Sequence, residues 1–216
     1  MRKGRPREFD LNLALDRALR LFWERGYEAT SLSQLTRAMG ISRPSLYAAF
    51  GNKKSLFFRA LDRYTEHRAA YIHDALAQPS ARQVFERLLL GAADALTSPD
   101  LPHGCLLIRG ALTCTRADAA ISRELRARRA AFATAIRRRF ARARGDLPRA
   151  VRPEDLVAFV GAIISGMAVQ AAGGASRAAL RAVAVTASRA WPNGADAPRS
   201  RGLLRPRGRA ILQLSH

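Results

Sequence analysis

Apolar residues recur at three- and four-residue spacing through residues 9–25, 32–39, 55–77, 81–96, 117–144, 155–171 and 177–191. This is the period of a helix with one buried face. No segment alternates apolar and polar residues between hairpin turns, so the pattern predicts an all-α fold. The breaks fall on turn-forming residues: Gly26, residues 40–42, Gly51-Asn52, Gln78-Pro79, residues 98–104, residues 145–153 and Gly173-Gly174. Past Trp191 the character changes. Residues 192–216 hold Arg199, Arg201, Arg205, Arg207 and Arg209 against the single acid Asp196, among Pro and Gly, which predicts a disordered basic tail.

The segment 30–50, TSLSQLTRAMGISRPSLYAAF, carries the most information. Leu32, Leu35 and Met39 share one face of a short helix, Gly40 supplies a tight left-handed turn, and Ile41 is the expected buried pivot. Ser42 stands where a cap is needed for a second helix from about Arg43, with Pro44 in its first turn, where a missing N–H costs nothing. Leu46 and Phe50 form the core face of that helix, which leaves Arg43, Ser45, Tyr47, Ala48 and Ala49 outward. The result is a helix-turn-helix whose second helix has the size to enter a DNA major groove. Arg43 suits guanine O6 and N7 or a phosphate, Ser45 and Tyr47 suit phosphate oxygens, and the two alanines allow contact with a thymine methyl. Thr30 or Ser31 caps the helix it precedes, and the free amides there suit a phosphate. Lys53 sits beside the same backbone.

Residues 9–64 resemble the DNA-binding domain of TetR-family repressors, through LFWERGYEATSL and QLTRAMGISRPSLYAAFGNKKSLF. The resemblance implies phosphate contacts at Thr30, Tyr47 and Lys53, and base-reading positions at Arg43, Pro44 and Ser45. Two departures stand out. Thr36 replaces a common alanine, and Ala48-Ala49 replaces bulkier His or Tyr. The remaining chain matches the family in helical pattern and length alone. The expected organisation is a basic arm over 1–8, a three-helix helix-turn-helix domain over 9–54, a ligand-binding and dimerisation domain of about six helices over 55–191, and the tail.

Composition sharpens this reading only partly. Lys plus Arg number 37 against 17 Asp plus Glu, a formal charge of +20, which favours a polyanionic partner. The basic residues are nearly all Arg and the apolar ones are rich in Ala, a bias that a GC-rich genome also produces; that bias does not explain the shortage of acids. Arg2, Lys3, Arg5 and Arg7 suit an arm that follows DNA into a minor groove, and equally a solvated terminus. The start MRKGRPREFD lacks the apolar run of a secretory signal, so a cytoplasmic protein is expected. Residues 156–174 are uncharged, but Gly161, Ser165, Gly166, Gln170, Gly173 and Gly174 dilute them. A buried helix is expected there, not a membrane span.

The runs 155–171 and 177–191, joined by AGGAS, form an antiparallel helix hairpin. Ala158, Ala162 and Gly166 recur at four-residue spacing on its first helix, which must be covered on most faces. The family resemblance implies a homodimer interface there, with Val169, Leu180 and Val183 taking part; an internal core helix is the alternative. Tyr64, Tyr71, Phe85, Leu89, Leu106 and Phe132 suit an apolar pocket for an unidentified small-molecule effector, or else plain core.

Cys105 and Cys114 make no disulfide framework. Nine residues apart on one helix, they would stand about 13.5 Å apart on opposite faces, too far for a bridge. Some regulators of the family carry a similar Gly-Cys-Leu segment, which implies a redox or electrophile sensor at Cys105; a buried small side chain is the alternative.

His67, His73, His103, Cys105 and the scattered carboxylates form no metal spacing, phosphate loop or nucleophile signature, so no enzyme, metal or cofactor is expected. The expected function is a homodimeric transcriptional repressor of a palindromic double-stranded DNA operator, released by an effector. A sequence-independent DNA-coating protein is the rival.

Overall fold

A computed structural model describes residues 9–113, 119–147 and 151–192 of the 216. The basic arm, Cys114 and the tail beyond Pro192 lie outside the described residues. The described residues are helical and contain no strand. The first three helices are α1 (Leu11–Arg25), α2 (Leu32–Met39) and α3 (Arg43–Phe50), followed by α4 (Lys53–Leu76), α5 (Ala81–Leu96) and α6 (Leu106–Thr113). The chain ends in α7 (Ala119–Arg142), α8 (Pro153–Ala172) and α9 (Arg177–Arg189), with a 3-10 turn at Arg144–Asp146.

Most starts are set by side-chain caps, and these explain where the hydrophobic pattern misplaces an end. Asp10 accepts hydrogen bonds from the amides of Asn12 (2.7 Å) and Leu13 (3.2 Å), so α1 begins after it and Phe9 stays outside. Asn52 accepts from the Ser55 amide at 2.9 Å, which starts α4 at Lys53. At the far end of α4, Arg139 of α7 donates to the carbonyls of Leu76 (3.0 Å), Gln78 (2.5 Å) and Pro79 (3.1 Å). These include carbonyls at the helix end, which have no partner within the helix itself.

Two hydrophobic cores organise the packing. The first gathers Phe22 and Trp23 of α1, Leu35 of α2, Leu46 and Phe50 of α3, and Leu56, Phe57, Leu61 and Tyr64 of α4. Its rings meet edge to face: Phe22 lies 5.0 Å from Phe57, and Trp23 lies 4.7 Å from Tyr64. Such pairs add about 0.5–1.5 kcal/mol beyond area burial. Leu106, Ile121 and Leu125 belong to this core too. It therefore runs past residue 54 and joins the helix-turn-helix to α6 and α7. The second core gathers Val84, Phe85, Leu88 and Leu89 of α5, Ile136 and Phe140 of α7, and the inner faces of α8 and α9. Phe85 packs on Phe159 (5.9 Å) and Trp191 (5.2 Å).

Helix α8 is long and apolar enough, by length and composition, to cross a membrane, yet only 28% of its apolar window is buried within the chain. Leu156, Val160, Met167 and Ala168 face inward, while Ala158, Phe159, Ala162, Gly166 and Val169 are exposed.

Phe57 is fully buried and touches both Phe22 and Tyr27. Phe57→Ala is expected to destabilise the fold by about 3–5 kcal/mol, measured by urea unfolding; a loss below about 1 kcal/mol would mean that the ring is not central to the first core.

Candidate nucleic-acid interface

Each turn of the α2–α3 unit is closed by its own side chains. Ser31 caps α2 in a reciprocal box, its hydroxyl accepting from the Gln34 amide (3.1 Å) while Gln34 Oε1 accepts from the Ser31 amide (2.8 Å). Gly40 ends α2 at φ +69°, ψ +34°, and the Ile41 amide returns to the Thr36 carbonyl at 3.1 Å. Ser42 then accepts from the Ser45 amide at 3.2 Å, and Pro44 fills the first turn of α3. Leu46 (0% exposed) and Phe50 (3%) clamp α3 to the first core. Its orientation is therefore fixed by packing rather than by any ligand.

The outward face of α3 carries Arg43, Pro44, Tyr47 and Ala48, all exposed, with Ser45 and Ala49 half-buried. Ile41, the expected buried pivot, is half-buried as well. The Tyr47 side chain is 47% exposed, so its hydroxyl is open to a partner. Arg43 Nη2 donates to Ser33 Oγ of α2 at 2.8 Å, which parks the guanidinium across the front of the motif. Ser45 Oγ lies 2.9 Å from Ser42 Oγ, so its hydroxyl already has a partner within the cap. Lys53 is half-buried, its ammonium 4.3 Å from the Tyr27 ring centroid.

Thr30 departs from the expectation of a phosphate contact. Its side chain is fully buried and its hydroxyl donates to the Gly26 carbonyl at 2.7 Å. It locks the turn between α1 and α2 and presents no surface to a backbone phosphate. The cap belongs to Ser31, which is exposed.

Sequence reasoning passed over Arg37, Lys54 and Arg59, all exposed on the same helices. Arg59 donates to the Ala49 carbonyl at 3.1 Å and lies 5.6 Å from the Phe50 ring, which places its charge beside the end of α3. The run of Lys53, Lys54 and Arg59 at the start of α4 is the signal available in the sequence. Behind the motif, Arg63 and Asp16 pair at 2.8 Å between α4 and α1, and this contact raises the Arg63 pKa above its usual value.

The other predicted residues divide among different places. Tyr64 and Leu106 belong to the first core, Phe85 and Leu89 to the second, and Tyr71 and Phe132 pack half-buried against the second. A groove of about 460 Å³ between α4 and α5 has Tyr71 in its wall and none of the other five. Cys105 is half-buried at the start of α6 and accepts a hydrogen bond from the Tyr64 hydroxyl at 3.0 Å. Burial pushes the Tyr64 hydroxyl well above its usual pKa. Of the six hairpin residues, Ala158, Ala162, Gly166 and Val169 are exposed and Val183 is half-buried. Leu180 is 0% exposed and belongs to the second core, so it is an interior residue and not part of a free face.

Residues 14–60 match the family model described as bacterial regulatory proteins, tetR family. The chain is 37% identical over 195 residues to the HTH-type transcriptional repressor ComR of Escherichia coli (strain K12), a match covering 88% of this chain and 92% of that protein. Among solved structures, a cysteine mutant of the TetR family transcriptional regulator CifR, complexed with 26-bp double-strand operator DNA, is 42% identical. It superimposes with a TM-score of 0.82, covering 87% of this chain and all of that one. A TetR transcriptional regulator from Chloroflexus aurantiacus, 21% identical with a TM-score of 0.72, shares the fold.

At Gly40 an added Cβ would be held at positive φ and would stand 3.3 Å from Arg17 Nη1. Gly40→Ala is expected to cost about 1–2 kcal/mol from the left-handed backbone alone, read as a lowered thermal midpoint; an unchanged midpoint would mean that the turn relaxes freely.

Proposed function

The chain belongs to the TetR family of bacterial regulatory proteins, and from that footing we propose that it is a sequence-specific DNA-binding transcriptional repressor whose α3 reads the major groove. The observation that carries this is the exposed row Arg43, Pro44 and Tyr47 on a helix anchored from behind by Leu46 and Phe50. A relative of the same fold, 42% identical, is complexed with operator DNA, which supports the same use of the motif here. Arg43 leaves Ser33 to reach a base edge, Tyr47 donates to a phosphate, and Ser31 brings the amides of α2 to the backbone. Lys53, Lys54 and Arg59 add charge beside the duplex.

The acting form is a homodimer joined through α8 and α9. The support is an exposed apolar face: Phe159 is 39% exposed, Val169 53% and Val185 46%, with the small residues Ala158, Ala162 and Gly166 between them. Small residues let two helices approach closely, and a face of this kind left in water is costly. Two-fold symmetry then matches a palindromic operator. A small-molecule effector that prefers one arrangement of the two reading heads releases the DNA. The protein acts in the cytoplasm, where its DNA lies, as a regulator and not as an enzyme.

Competition binding at physiological salt tests this reading. The protein should prefer DNA from upstream of genes neighbouring its own over shuffled DNA of equal length, whereas equal affinity for both would favour a sequence-independent coating protein. Arg43→Ala is expected to cost about 1–3 kcal/mol at the operator and to relax specificity at one base pair. Lys53→Ala should weaken native and shuffled DNA alike and lower the salt slope by about one. For the dimer, Val169→Glu is expected to convert the protein to monomers in sedimentation velocity and to abolish operator binding, while a dimer that persists would move the interface elsewhere.

A further inference from the structure

Among the described residues, Arg68 is the one basic residue with a buried polar side chain: it sits in the middle of α4 and is only 6% exposed. Its Nη2 donates to the Gly104 carbonyl at 3.1 Å, and its guanidinium carbon lies 5.1 Å from the Trp23 ring and 5.3 Å from the Tyr64 ring. Among the described residues no carboxylate forms an ion pair with it. A buried cation without a counter-charge is costly, and ring faces plus one carbonyl offset only part of that cost. Two N–H donors in the cluster, Arg68 Nε and Trp23 Nε1, are buried with no hydrogen-bond acceptor in reach. Orphaned buried donors are rare and call for an acceptor. Here two of them sit together beside an unbalanced positive charge.

The groove between α4 and α5 shares Tyr71 with the surroundings of Arg68, although neither Arg68 nor Trp23 lines it. Tyr71 forms its wall, one helical turn after Arg68 on α4. The other charged groups of that wall are already matched, Asp74 by Arg87 and Asp94 by Arg181. Burial pushes the Tyr71 pKa to about 12, and Arg68 is close enough to pull it back down. Next to Tyr71, Arg68 is therefore the charge left without a carboxylate partner among the described residues.

We propose that Arg68 and Trp23, with the hydroxyl of Tyr71, form a subsite for the carboxylate of a small organic acid. This names the chemical class of the effector and so rests on the reading of the chain as an effector-released repressor. The carboxylate takes paired hydrogen bonds from the guanidinium and one from the indole N–H, which neutralises the buried charge and satisfies both donors. It competes with the Gly104 carbonyl for Arg68. Gly104 stands at φ +90° against α8, where an added Cβ would lie 3.0 Å from the Ala168 carbonyl. The subsite thus lies between α1 of the DNA-reading unit and α8 of the hairpin, and occupancy biases how the two are held.

The test uses the full chain carrying Trp191→Phe, which leaves Trp23 as the remaining tryptophan. Acetate, the smallest practical probe, is titrated against acetamide and against chloride at equal ionic strength, with Trp23 emission as the readout. A saturable change with acetate and none with acetamide or chloride is expected. Arg68→Gln should weaken the acetate response about tenfold to a hundredfold, and Arg68→Lys should retain part of it. If Arg68→Gln proves unfolded by circular dichroism, the comparison of Arg68→Lys with the parent decides. No saturable change, the same change with acetamide, or an undiminished response in both variants overturns the proposal. Operator binding is measured in the same samples without acetate. Its absence would overturn the repressor reading, while the carboxylate subsite would still be decided by the emission.

Discussion

Helix α4 has to serve two hydrophobic cores at once. Leu56, Phe57, Ala60, Leu61 and Tyr64 in its first half pack against α1 and the helix-turn-helix, while Ala75 near its end packs with α5. Because α4 is one unbroken helix of 24 residues, capped by Asn52 at one end and tied by Arg139 at the other, a shift in either core must be felt in the other. The aromatic contacts of Phe22 with Phe57 and of Trp23 with Tyr64 decide how α1 lies on α4. The position of α3 follows from them through Leu46 and Phe50. A repressor needs this rigidity, since a reading helix that swivels freely would lose the register between two half-sites.

The large positive charge divides into three uses. Part is spent inside the chain, where arginines serve as caps and struts: Arg17 on the Met39 carbonyl, Arg68 on Gly104, Arg129 on Leu107 and Arg139 on the end of α4. Another part is matched by carboxylates, as Arg63 is by Asp16 and Arg128 by Asp62 and Glu124. The part proposed to bear on DNA is local, around Arg37, Arg43, Lys53, Lys54 and Arg59. Net charge alone therefore overstates the evidence for a nucleic-acid partner, and the geometry of α2 and α3 carries most of it.

Where the sequence was legible, the signals were local. Gly40, Ser42 and Pro44 act within a few residues of themselves, so the turn and both short helices could be read directly. Misplaced ends have the same origin, because the apolar period over residues 9–25 and 55–77 locates each helix but not its end, while the caps at Asp10 and Asn52 set the true starts. Three features gave no such signal, the last two because they depend on contacts distant in sequence. Thr30 turns inward once Gly26 closes the α1–α2 corner. Leu180 faces α5 while its neighbours Ala182 and Val185 face outward, a choice that period alone leaves open. Arg68, which reads as an ordinary solvated arginine, becomes the buried charge at the junction of α1, α4 and the start of α6.

The central claim is that two α3 helices, held by α4 and paired through α8 and α9, read two half-sites of one operator. Footprinting of the purified protein on DNA from upstream of its neighbouring genes tests this most directly. Two protected half-sites of inverted sequence are predicted, their centres about 34 Å (one turn of DNA) or a multiple of that apart. Protection spread evenly along the fragment, or a single half-site protected alone, would contradict it.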